Sequence, residues 1–133
     1  MKISTSIGLT VVLCILPGIA RAMDRFEALA QLESGGNDFA VGNAGEVSRY
    51  QIMPQAWNEI PLRSISQATN AAAARVVARN IWYNRVVDFQ YSHQRMPTDS
   101  EWALLWHCPA RVDHPTKGDR DYTNRFINLL SKH

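Results

Sequence analysis

The stretch ALAQLESGGND, residues 28–38, places a glutamate on what reads as the apolar face of a short helix, just where Ser-Gly-Gly breaks it. Glu33 follows Phe26 by seven residues, which sets the two about 20° apart around an ideal helix, on the stripe that faces a core rather than water. Loss of solvation and the negative end of the helix dipole both disfavour a charged carboxylate there, so both push its pKa upward. A carboxylic acid that keeps its proton near neutral pH can deliver it to the leaving oxygen of a breaking glycosidic bond. The same position also suits a partly exposed glutamate that merely ends a helix, and position alone does not separate the two. A second carboxylate would decide the mechanism, since inversion needs a base for water and retention needs a nucleophile. Asp38 and Glu46 are the only acidic residues in the loop after Glu33, and Glu46, between Gly45 and Val47, reads as structural.

The elements that must hold Glu33 in place are mostly helical. MDRFEALAQLE, with Asp24 as N-cap, puts Phe26, Leu29, Ala30 and Glu33 on one face. Residues 37–53 mix short apolar clusters with Gly and Asn at no helical period, which predicts a loop or a small irregular β-hairpin. Pro54 suits the first turn of a second helix, and Pro61 ends it. A long third helix follows from a cap at Thr69 or Asn70, with Val77, Ile81, Tyr83 and Val87 on its apolar face and Arg75 and Arg79 on its wet side. The capping box Thr98 to Glu101 opens a fourth helix that stops before Pro109, and Trp102 and Trp106 lie one turn apart along it. DRDYTNRFINLL repeats Tyr122, Phe126 and Leu129 at helical spacing and closes the chain as a fifth helix. The fold class expected is mainly α, a single helical domain with the hairpin or loop beside a cleft.

Residues 1–22 read as a secretory signal peptide. Lys2 supplies the positive start, IGLTVVLCIL the apolar run, and Ala20-Arg21-Ala22 the small residues before a cleavage site, so the domain is expected to span 23–133. The whole chain carries 14 Lys and Arg against 12 Asp and Glu, and loss of Lys2 and Arg21 leaves the rest near neutral. Phosphate binding needs a basic surface, so a nucleic-acid partner is not expected, nor is membrane attachment after cleavage. Cys14 leaves with the signal, and Cys108 alone cannot staple a fold. His107, Cys108 and His114 match no common zinc spacing, so neither a metal nor another cofactor is expected.

Four segments, in one order, carry a family resemblance over nearly all of residues 23–133. ESGGNDFAVGNAGEVSRYQIMPQAW, Glu33 to Trp57, resembles the part of lytic transglycosylases and goose-type lysozymes in which a Glu-Ser pair ends a helix. In that family a glycine-rich stretch and a Gly-Leu-Met-Gln-like turn follow, leading to Ile-x-Pro and another helix; here SRYQIMP stands for that turn. ALLWHCPARV resembles the family's Ala-Tyr-Asn-Ala-Gly segment, and RDYTNRFINLL its closing Tyr-x-x-x-Val helix.

The resemblance implies a lysozyme-like domain of the soluble lytic transglycosylase type, with Glu33 as catalytic acid and base. It implies Ser34 as a support near the substrate's N-acetyl group or the carboxylate, Gln51 as a sugar contact, and Tyr122 as a hydrogen-bond partner that positions Glu33. Tyr50, Trp106 and His107 fall at substrate-binding positions. This chain departs from the pattern where Ser48 replaces a glycine, Arg49-Tyr50 replace Leu-Met, Trp106 replaces Tyr, His107 replaces Asn and Pro109 replaces Gly. The implied partner is a peptidoglycan glycan strand, cut by a monomeric protein in the periplasm, outside the cell or in its wall. The implied reaction breaks the bond between N-acetylmuramic acid and N-acetylglucosamine and forms an anhydro-muropeptide. A hydrolase of the same fold and a peptidoglycan-binding module without catalysis remain alternatives.

Overall fold

A computed structural model describes residues 23–132; residues 1–22, the segment expected to be a signal peptide, lie outside them. Among the described residues there are five α-helices: α1 (Arg25–Ser34), α2 (Pro54–Asn58), α3 (Ala71–His93), α4 (Asp99–His107) and α5 (Lys117–Leu130). Single 3₁₀ turns, Ile65–Gln67 and Pro109–Arg111, sit before α3 and after α4. Among the described residues no helix is long and apolar enough to cross a membrane.

Each long helix starts where a side chain can take up its first free N–H groups. Asp24 accepts from Phe26 and Glu27, Asn70 from Ala73, and Thr98 and Glu101 form a reciprocal capping box. A second box, Thr116 with Asp119, opens α5 two residues before the start expected from its apolar repeat. At the other end of α1, Gly35 adopts φ 66° and Gly36 φ 77°, left-handed values that side chains disfavour. Their N–H groups bond to the carbonyls of Gln31 and Ala30, and the chain turns sharply away just after Glu33.

The core forms where α1, α3, α4 and α5 meet. Ala28, Leu29 and Ala30 of α1 are fully buried, as are Ala74, Val77 and Ala78 of α3, Ala103 of α4 and Phe126 of α5. The many alanines allow close helix approach, and the remaining volume is filled by rings. Trp102 stacks on Phe126 with centroids 5.2 Å apart and takes the edge of Phe26 at the same distance. Phe126→Ala should therefore cost about 3–5 kcal/mol, a large part of the stability of a domain this size, and lower the urea midpoint accordingly.

One expectation for α3 is corrected. Tyr83 and Val87 are not on its packed face; they are 64% and 44% exposed. The buried stripe runs through Ala74, Ala78, Val86 and Phe89, with Trp82 packed partly between. Its spacing of mostly four residues drifts around the helix, so Tyr83 and Val87, each one residue beyond a packed position, are carried about 100° away.

Between α1 and α2 the backbone makes a loop rather than a strand ladder. Two isolated antiparallel bridges, Val41 to Val47 and Val47 to Ile52, hold it, and among the described residues no strand forms. The turn between Val47 and Ile52 places Ser48 at φ 73° and Gln51 at φ 51°. The position at which the resembling family has glycine thus takes a glycine-like backbone conformation, held here by a serine that is 1% exposed and accepts from the Tyr50 N–H.

Candidate active site

Glu33 ends α1 half-buried, and the Tyr122 hydroxyl of α5 donates a hydrogen bond to its Oε1. Burial raises the pKa of Glu33 above the usual glutamate value. The Tyr122 bond and the nearby His107 and Arg125 side chains pull the other way, while the charge of Glu46 adds to the rise. Tyr122 is held protonated by burial and by the adjacent carboxylate, so its phenol is a permanent donor. Glu33 is thus a carboxyl that holds its proton more firmly than an exposed glutamate does, with Oε1 bonded to Tyr122.

Tyr122 is itself held by the start of α5 and the end of α4. Asp119, 1% exposed, accepts from Arg111 Nε and Nη2 at 2.7 Å each and from the backbone N–H and hydroxyl of Thr116 at 2.8 Å. His107 Nε2 lies 3.7 Å from the same carboxylate, and its ring stacks on Tyr122 with centroids 4.1 Å apart at 17°. An open basin of about 290 Å³ is bordered by His107, Arg111, Asp119, Tyr122 and Arg125. Glu33 does not line it directly and meets its edge through Tyr122. The expected position of His107 at a substrate surface is thus combined with a second contact, its packing on the tyrosine.

The other residues expected at the site are distributed unevenly. Ser34 directs its hydroxyl to the Arg49 carbonyl at 2.8 Å and takes the Asn37 N–H at 3.1 Å, so it ties the end of α1 to the loop. Gln51 and Trp106 border one small pocket, together with Met53 and Arg85. The expectation for Tyr50 is corrected: it is 0% exposed, so it cannot touch a substrate. Its ring packs edge-on against Phe26 and Trp106 at 6.4 Å, because the turn at Ser48 folds it inward. Trp102 is likewise core, whereas Trp106 is only half-buried.

Neither of the other two loop carboxylates is free. Asp38 lies 3.0 Å from Arg49 Nε, and Glu46 accepts the Ala44 N–H at 3.0 Å. Asp119 and Arg111 were not among the sequence candidates. Thr116-x-x-Asp119 is a helix-start pattern with Asp in place of the usual Glu, and this is the signal that marks Asp119. Comparison with protein-family models, with curated proteins and with solved structures returns no match.

Proposed function

We propose that the chain is an exported peptidoglycan lytic transglycosylase with a lysozyme-like fold, in which Glu33 is both acid and base. The observation that carries this reading is a half-buried carboxyl, raised in pKa by desolvation and held by a half-buried phenol, at the end of α1. The protonated Glu33 gives its proton to the glycosidic oxygen as the bond to the muramic acid anomeric carbon breaks. The substrate's own N-acetyl group stabilises the cation. Glu33, now ionised, takes the proton from the sugar's primary hydroxyl, whose oxygen bonds to the anomeric carbon and closes the anhydro ring. Glu33 ends the cycle protonated, and no water is consumed.

The engagement of Asp38 with Arg49 and of Glu46 with its own loop supports a single acid over a carboxylate pair. The influence of Glu46 on Glu33 is the one feature that favours a hydrolase. Mass analysis of fragments released from purified sacculi separates the two, since the anhydro product is one water lighter than the hydrolysis product. The expected result is anhydro ends, with Glu46→Gln and Asp38→Asn within about threefold of wild type, against the 10²-fold or greater loss that removing a general base brings. Reducing ends alone, with activity lost in Glu46→Gln, would assign the reaction to a hydrolase. Sacculus binding without any release of fragments would leave a binding module.

A further inference from the structure

Arg85, on α3, is a half-buried cation that forms no ion pair among the described residues. Its Nη1 donates to the carbonyls of Leu105 at 2.8 Å and Trp106 at 2.6 Å, which satisfies the last turn of α4. Among the described residues its Nε and Nη2 make no hydrogen bond, and no carboxylate lies within ion-pair distance. The guanidinium carbon sits 5.6 Å from the centre of the Trp106 ring. Burial pulls its pKa down, as expected for a charge removed from water without a counter-ion.

Arg85 borders two hollows. One, toward the end of α3, also contains Asp88, His93 and Asp113; His93 pairs with Asp113 at 2.7 Å, and Asp88 remains to oppose an anion. The other, about 150 Å³, is bordered by Gln51, Met53, Ala56, Ile81 and Trp106, and Arg85 is its only charged group. This volume admits a group of a few heavy atoms. A guanidinium whose Nε and Nη2 make no hydrogen bond, at the border of a pocket otherwise uncharged, suits a carboxylate, which takes two parallel N–H bonds and supplies the missing charge.

We propose that the pocket between the Ser48–Met53 turn, α2, α3 and α4 is a carboxylate subsite in which Arg85 binds an acidic arm of the substrate. Taken with the reading of the substrate as peptidoglycan, on which this rests, two carboxylates qualify: the lactyl arm of muramic acid and the acidic residue of the stem peptide. Either would fix which sugar lies beside Gln51 and Trp106, so Arg85 sets specificity and takes no part in the chemistry.

The test follows the Arg85 Nε–H and Trp106 indole N–H signals by NMR in the chain from residue 23 onward. Three probes are titrated: N-acetylmuramic acid, an N-acetylated alanyl-glutamate dipeptide, and neutral N-acetylglucosamine as control. Saturable shifts with one acidic probe or both, and weaker or none with the neutral sugar, are expected. Which acidic probe binds identifies the arm. Arg85→Gln, which removes the charge and the guanidinium fork, should weaken that binding at least about tenfold. Met53→Glu, which leaves Arg85 and its backbone bonds in place and sets a carboxylate in the same pocket, should do likewise. No shift with either acidic probe, shifts as large with the neutral sugar, or unchanged affinity in both variants would overturn the subsite. Sacculus cleavage by the same wild-type sample separates the two readings. Cleavage with Arg85-independent binding removes the subsite alone, whereas Arg85-dependent binding without cleavage keeps the subsite and removes the transglycosylase.

Discussion

Glu33→Gln should release sacculus fragments about 10²–10⁴-fold more slowly than wild type while unfolding at a higher temperature near neutral pH. The loss follows because the amide has no proton to give and no charge with which to take one back. The gain follows from burial. A carboxyl whose folded pKa lies above its unfolded value contributes its full stability below the unfolded pKa and loses it as pH rises through the folded one. Glutamine does not ionise, so the variant escapes that loss. Its side-chain oxygen can still accept from the Tyr122 phenol, which leaves the packing intact. Melting curves should therefore separate between the ordinary glutamate pKa and neutrality, and converge in acid. A variant that is inactive and also less stable throughout would mean that the acid was structural.

Tyr122→Phe tests how the acid is held. The substitution keeps the ring on His107 and removes only the hydroxyl that binds Glu33 Oε1. Hydrogen bonds to charged groups contribute about 1.5–3 kcal/mol, so a roughly ten- to hundredfold fall in activity is expected. The direction of the pH effect is the sharper readout. The phenol's bond favours the ionised carboxylate and so lowers the pKa of Glu33; without it the pKa rises further. The alkaline limb of kcat/KM, where the acid loses its proton, should move to higher pH. A tyrosine that served only as packing would leave the limb where it is.

The helix starts were legible because capping is local. Asp24, Asn70 and Thr98 with Glu101 each act within a few residues of the groups they satisfy. The same locality marked Pro54 and the two glycines after Glu33. What the sequence hid depends on contacts across the chain. Tyr83 and Val87 fit a helical period as well as their buried neighbours do, and only the approach of α4 selects the face. Tyr50 is carried inward by the positive φ of Ser48, which a serine does not announce. Glu33 stood out from its own helix, but the bond to Tyr122, 89 residues on, was suggested by resemblance alone. Asp119 is marked as a helix-start residue by its spacing from Thr116, but its bond to Arg111 is not, and Arg85 acts through carbonyls on another helix that neither its type nor its spacing announces.

Whether Glu33 keeps its proton beyond the range of an ordinary carboxyl is measured by a carbon-13 NMR titration of its side-chain carboxyl, with Glu33→Gln identifying the signal. The expected midpoint lies clearly above that of a solvent-exposed glutamate and moves higher still in Tyr122→Phe. A midpoint at the ordinary value of about 4.3, indifferent to Tyr122, would contradict it.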